Sequence, residues 1–234
     1  MLGFDVVKEP AKVRQSVSVM PQDGRPFGML TPWDHVYFTL IAKGATVSVA
    51  KEATSKIFND TELRPFKDTQ CNKLSGGFKQ KVLLSMCLSY QAELYLLDEP
   101  TVGLDPISRE QTWSLIRGLT RAGKTVILTT HHMDEAEKLS DELAILAGGK
   151  LVTQGTKAEI MSVVKERVKV EVLGIDMREL SRYGKAIQVA DSVRIFTDEQ
   201  NVKELVNLAA SKGATATVSP VSLEDAFLLR LKAG

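Results

Sequence analysis

The chain has 234 residues, 44% hydrophobic and 25% charged, enough apolar length for one large or two smaller domains with ordinary cores. Its 30 Lys and Arg against 29 Asp and Glu leave a net charge of +1, which excludes the basic excess that sequence-independent nucleic-acid binding needs. The two cysteines, Cys71 and Cys87, lack metal-ligand spacing and read as reduced thiols, and no apolar run approaches the roughly 20 residues of a membrane helix, so any membrane role runs through a partner.

In chain order, Gly3 to Pro10 reads as the tail of a hairpin, Ala11 to Gln15 as a helical turn, and Val17 to Met20 as a strand delivering Pro21-Gln22-Asp23 into a loop. Gln22 at a strand end can ligate a metal through its amide oxygen or touch a bound water; alone it is an ordinary loop glutamine. From Pro32 to about Tyr90 the pattern is helical, with Trp33, Val36, Tyr37, Leu40 and Ile41 on one stripe that belongs to a core. Leu74-Ser75-Gly76-Gly77-Phe78-Lys79-Gln80-Lys81 then opens a second helical run through Val82, Leu83, Met86, Cys87 and Tyr90. Ser75 can cap that helix while Gly76 and Gly77 let backbone N–H groups approach a phosphate; the bland alternative is a hinge.

Leu94 to Leu97 is an apolar run ending in Asp98-Glu99-Pro100, a pattern for a strand buried on both faces with two carboxylates at its carboxyl end. In parallel α/β sheets that edge is where ligands sit. One carboxylate can hold a hydrated Mg²⁺ and the other orient a water, although a lone pair of acids more often caps the next turn. Gly103-Leu104-Asp105-Pro106 makes a turn into a helix, Ser108 to Leu119, with Trp113 and Ile116 inward. Thr125 to Thr130 reads as a second buried strand, beside the first, ending at His131, which can reach the same ligand. Leu143 to Leu146 and Lys150 to Gln154 form a hairpin across Gly148-Gly149.

Gly118 to Thr125 matches the phosphate-loop pattern G-x-x-x-x-G-K-[ST], but with a helix before and a strand after. A working loop needs the reverse order, so Gly118 and Gly123 mark a helix end and a turn. Beyond residue 160 the order βαββαβα (strands near 167–173, 186–189, 193–196 and 214–218; helices near 177–183, 202–210 and 223–231) points to a small ferredoxin-like α+β domain without paired acids or a glycine cradle.

Taken together, these pieces resemble the nucleotide-binding domain of an ABC transporter. Gln22 stands in the place of the Q-loop glutamine, Leu74 to Gly77 in that of the signature motif, Leu94 to Glu99 in that of Walker B and its following glutamate. Gly103-Leu104-Asp105 stands for the D-loop and His131 for the switch histidine. The resemblance spans about residues 1 to 157, and the tail through Ser222 to Phe227 is similar to that of drug-resistance ATPases paired with ABC-2 style membrane subunits. It implies an α/β fold: a truncated P-loop NTPase (RecA-like) core over 1–33 and 91–157, an ABC α-helical subdomain over 34–90, and a small C-terminal α+β domain over 160–234.

By the same resemblance the cofactors are ATP and Mg²⁺. Asp98 and Gln22 contact the metal, Glu99 polarises the attacking water, and His131 meets the γ-phosphate. Ser75, Gly76, Gly77 and Asp105 serve the nucleotide interface of a head-to-tail dimer. The implied partners are an ABC transmembrane subunit and a second nucleotide-binding subunit, identical or not, with the chain cytoplasmic on the inner membrane face. Phe78 departs from the family's glutamine. The larger departure is that the family's adenine-binding strand and Walker A loop precede anything found here, which suggests a start assigned too late, a fragment, or a natural truncation. The expectation is a chain without appreciable Mg-ATPase of its own, either the bulk of a transporter ATPase or a nonhydrolysing partner lending its signature in trans, with sheet surface left open. A chromosome or DNA-repair ATPase fits less well, because the stretch between Gln22 and Ser75 is compact where those proteins insert coiled coils.

Overall fold

The computed structural model describes residues 1–233, with side chains as far as Arg230. The chain divides into two compact units, Met1–Glu135 and Ala136–Gly234.

The first unit opens with turns in place of the expected hairpin tail. Asp5 Oδ1 accepts the backbone N–H of Val7 at 2.8 Å and of Lys8 at 3.0 Å, and this local side-chain capture competes with a strand ladder. Helix α1 (Pro10–Ser16) then leads into β1 (Val17–Met20), which pairs in parallel with β2 (Leu94–Asp98), and β2 in turn with β3 (Thr125–Thr129). The sheet order is β1-β2-β3, so the strand ending in the two acids is central.

Between β1 and β2 lie α2 (Pro32–Ala42), α3 (Val47–Asp60) and α4 (Gly76–Leu88). Each start is chemically marked: Thr31 and Asp34 form a capping box, Thr46 caps α3, and Ser75 caps α4. Val36 and Leu40 of the predicted stripe are buried against Ile57, Phe58 and Val82, with Trp33, Tyr37 and Ile41 packed at the margin. Each fully buried side chain of this kind contributes about 1.5–3 kcal/mol. Helix α5 (Pro106–Arg121) buries Trp113 and Ile116, and α6 (Met133–Leu139) begins just beyond His131 and His132.

The strand β3 is not buried as its composition suggests. Thr125, Ile127 and Thr129 are exposed and Val126 and Leu128 half-buried, because among the described residues β3 pairs only with β2 and forms the sheet edge. Register places Val19, Leu96 and Ile127 side by side, and Val19 and Ile127 are 58% and 57% exposed, so this apolar row lies on an uncovered sheet face. Parallel sheets are ordinarily covered on both faces.

The second unit begins with the hairpin β4 (Glu142–Ala147) and β5 (Lys150–Thr156). A short helix, α7 (Lys157–Met161), follows, with Thr156 and Glu159 closing a capping box that the sequence pattern T-x-x-E could have flagged. The rest is an antiparallel sheet in the order β7-β8-β6-β9. Its strands are β6 (Val168–Leu173), β7 (Lys185–Val189), β8 (Ser192–Thr197) and β9 (Thr215–Pro220), and its helices α8 (Met177–Leu180), α9 (Glu199–Ser211) and α10 (Leu223–Ala233). Val170, Val172, Val193 and Ile195 face Leu180, Leu205 and Ala209, while Ile187 and Phe196 meet Leu229 of α10. This is the ferredoxin-like order that the βαββαβα pattern indicated.

Candidate functional site

The parallel register sends β2 and β3 out of the sheet at one edge, Asp98 opposite Thr129, and the functional side chains follow directly. Asp98 Oδ1 accepts a short hydrogen bond from Thr129 Oγ1. The next residue, Glu99, has φ +49°, a left-handed conformation that a non-glycine residue adopts only when its surroundings hold it there. Its N–H donates to Thr129 O at 3.1 Å, and its carbonyl accepts the N–H of Val102 at 3.3 Å. This turn directs the carboxylate at His131: Nδ1 lies 2.9 Å from Glu99 Oε2, with side chains 64% and 13% exposed respectively.

The imidazole and the carboxylate approach closely without an in-line hydrogen bond, for Glu99 Oε2 is buried and accepts none. A carboxylate oxygen in that state is an acceptor held ready for an incoming donor, and a water molecule is the simplest one. Asp98, Glu99 and His131, separated in the sequence, are thus one cluster at the carboxyl edge of a parallel sheet.

Below the cluster the turn is fixed by a group that the sequence did not single out. Glu135, fully buried, accepts from Thr101 Oγ1 at 2.9 Å and from Trp113 Nε1 at 2.8 Å, both on Oε1. It joins the turn after Glu99 to α5 and α6. A second overlooked residue is Gln80, just over one turn into α4, whose Nε2 donates to Glu99 O at 3.2 Å and Pro100 O at 3.3 Å.

Ser75 and the two glycines sit at the N-terminus of α4, Ser75 accepting the Phe78 N–H on Oγ at 3.4 Å. Gly77 packs against the turn that follows β2: a Cβ there meets Gly103 O at 3.1 Å, so the position tolerates little beyond hydrogen. Phe78 packs against Phe66, the rings tilted at 47° with centroids 4.2 Å apart. Asp105 caps α5, accepting from Ile107 N and Ser108 N at 3.0 Å each and from Ser108 Oγ at 2.6 Å. The Ser108 hydroxyl and amide hold its carboxyl below the usual range. The capping role that Asp98 and Glu99 shared as the bland alternative therefore belongs to Asp105. Gln22 is exposed in the turn that follows β1.

The phosphate-loop look-alike ends a helix, as its context predicted. Lys124 N–H donates to Leu119 O and Gly123 N–H to Thr120 O, both at 3.0 Å, with Gly123 at φ +77°, a Schellman ending of α5. Lys124 Nζ is engaged by Glu93 at 2.6 Å.

For Mg²⁺ the donor set is sparse: among the described residues no group of three His, Cys, Asp or Glu side chains is arranged to hold a metal. Asp98 and Glu99 offer carboxylates at the sheet edge, and Glu99 is turned to His131, which leaves Asp98 for a metal. That fits a Mg²⁺ ion that keeps waters and takes phosphate oxygens, its usual habit, and does not fit a metal caged by protein alone.

Residues 3–102 match the family model described as ABC transporter. The Nod factor export ATP-binding protein I of Rhizobium etli is 30% identical, with 97% of this chain and 73% of that protein covered. The daunorubicin/doxorubicin resistance ATP-binding protein DrrA of Streptomyces peucetius is 33% identical over 72% of this chain and 51% of its own length. The human phospholipid-transporting ATPase ABCA7 is 38% identical over 67% of this chain; the aligned part is only 7% of that long protein. Among solved structures, an ATP-binding subunit of an ABC transporter superposes with a TM-score of 0.64 at 23% identity, covering 70% of this chain and 68% of the other. A dimeric ATP-binding cassette in a post-hydrolysis state with ADP and Pi gives 0.59 at 24%, covering 66% and 68%. The fold is that of ABC ATP-binding subunits, a P-loop NTPase-like α/β architecture, and with an export ATP-binding protein matched over nearly the whole chain, this protein belongs to the ABC transporter ATP-binding family.

Proposed function

We propose that the chain is the nucleotide-binding part of an ABC exporter, coupling ATP hydrolysis to transport through a separate transmembrane subunit. No helix among the described residues is long and apolar enough to cross a membrane, and in this reading the transport path belongs to the partner, with the chain on its cytoplasmic face. The observation that carries the reading is the approach of His131 Nδ1 to the otherwise unpartnered Glu99 Oε2 at 2.9 Å, at the carboxyl edge of a parallel sheet.

In this reading Glu99 orients and polarises the attacking water, His131 steadies the γ-phosphate, and Asp98 with Gln22 holds Mg²⁺. The metal, when bound, neutralises charge developing on the phosphate oxygens. Asp105 fixes the start of α5 beside a facing subunit, identical or different. Ser75, Gly76 and Gly77 reach that subunit's nucleotide with backbone N–H groups and the positive end of α4. The core, helical and C-terminal segments at 1–33 with 91–157, 34–90 and 160–234 divide the work into hydrolysis, signature presentation and packing or regulation.

The Gly118–Thr125 stretch is a helix stop and forms no phosphate cradle. A second reading is that the chain is a nonhydrolysing partner that gives its signature in trans, supported by the intact Ser75 cap on α4. The test is Mg-ATPase of the chain alone and mixed with an intact ABC ATPase subunit. Alone, no turnover above background is expected; turnover abolished by Glu99→Gln overturns the claim of inactivity. In the mixture, stimulation lost on Ser75→Arg supports the signature's role, and an unchanged rate counts against it.

A further inference from the structure

We propose that Gln80 is a positioning residue for Glu99, holding the backbone turn that aims the Glu99 carboxylate at His131. The inference rests on the reading of Glu99 as the water-orienting acid. Glu99 adopts φ +49°, and the turn's own backbone supplies one bond to its carbonyl, from Val102 N–H at 3.3 Å. Pro100 has no N–H to contribute, and it is buried. The Gln80 side-chain amide donates to both consecutive carbonyls, Glu99 O at 3.2 Å and Pro100 O at 3.3 Å. Two adjacent carbonyls pointing at one donor is a geometry that only a bent chain provides, so the contact selects the bend.

The donor is itself well anchored. Gln80 stands on α4 between Ser75, which caps the helix, and Lys81, which is buried with its Nζ 3.4 Å from Glu62. Gly77 on the same helix lies against Gly103 O, at the far end of the same turn. Helix α4 therefore grips residues 99–103 at two points, and Gln80 is the one that acts by hydrogen bonding. Elsewhere a lysine bridges two carbonyls that are not consecutive: Lys43 Nζ donates to Arg14 O at 2.7 Å and Val17 O at 3.0 Å. An ammonium, like an amide, can thus serve two carbonyls at once.

The experiment compares Gln80→Met, which keeps length without a donor, Gln80→Glu, which sets an acceptor against two carbonyls, and Gln80→Lys, which restores donation. Three readouts are taken on the whole chain: amide hydrogen exchange by peptide, the ring cross-peaks of His131 with His35 as a distant control, and the thermal midpoint. Expected for Met and Glu is exchange over 98–104 faster by about three- to tenfold, with the helical segment 33–41 unchanged. The His131 cross-peak moves while that of His35 stays. Lys returns both readouts toward the wild-type values. A Met variant indistinguishable from wild type overturns the proposal, as does a Lys variant no better than Met. Exchange rising uniformly across residues 1–135 with a lowered midpoint also overturns it, since that signals packing alone. None of these readouts needs turnover, so a failed ATPase test and a failed Gln80 test are separable.

Discussion

Glu99 Oε2 lies 2.9 Å from His131 Nδ1, buried and without a hydrogen bond. That arrangement is costly for the fold and useful for chemistry, because an unmet acceptor oxygen is stabilised only when a donor arrives. The cost is measurable. Glu99→Gln replaces the carboxylate with an amide that can donate to His131, and it is expected to raise stability by about 1 kcal/mol. For a chain of this size that is an increase of roughly 2–4 °C in the thermal midpoint. A lowered midpoint means the carboxylate is already satisfied in solution and contradicts the geometry.

Gly77 ties the signature segment to the turn after β2. With a Cβ, the side chain meets the Gly103 carbonyl at 3.1 Å, and a backbone oxygen in a hydrogen-bonded turn yields little. Gly77→Ala is expected to cost about 1 kcal/mol, and Gly77→Val about 2–3 kcal/mol, in chemical denaturation. The same substitutions at Gly76, where a Cβ meets nothing, serve as the control. Equal effects at the two glycines count against a close approach at Gly77.

The apolar row Val19, Leu96 and Ile127 lies across the sheet, with both outer members exposed and the β3 backbone edge open among the described residues. Exposed edges with apolar faces invite association. Ile127→Lys is expected to lower self-association of the chain in light scattering at high concentration, without lowering the thermal midpoint by more than about 0.5 kcal/mol equivalent. If association is unchanged, this face is not what drives it.

Much of this was readable from the residues. Val17 to Met20 and Leu94 to Leu97 announced themselves as strands because a buried strand in a parallel sheet is a short apolar run, and Ser75 marked a helix start by cap chemistry. The exposure of Ile127 was not readable, because burial of a strand depends on what lies beside it and not on its own composition. Gln80 was hidden for a related reason: a glutamine between two lysines carries no periodic signal, and its partners are carbonyls nineteen and twenty residues away. Glu135 reads as one more acid in an acidic helix start, and only its burial against Trp113 and Thr101 separates it from Asp134.

The second unit carries its own pH-dependent lock. Asp225 is fully buried at the start of α10 and receives Lys169 Nζ at 2.5 Å, Arg194 Nη1 at 3.1 Å, and both Ser222 N and Oγ at 2.8 Å. Burial alone raises its pKa, but the Lys169 ammonium and the Ser222 donors outweigh it and hold the carboxyl below its ordinary value. The unfolded carboxyl titrates near about 3.9. A depressed folded pKa means that the stabilisation is fully present above that unfolded value and is lost as pH falls through the folded one. Between neutral pH and about 5 the contribution of Asp225 to the thermal midpoint should therefore stay flat, then decline below about pH 4. Asp225→Asn leaves Lys169 buried without a counter-charge and is expected to cost about 3 kcal/mol at neutral pH. Because the variant has nothing to titrate at this position, its deficit should shrink as the wild type loses its own advantage in acid. Melting curves of both chains from pH 7 to 3, followed by circular dichroism, decide the matter: a deficit that stays constant to pH 3 removes Asp225 as the titrating member of the lock.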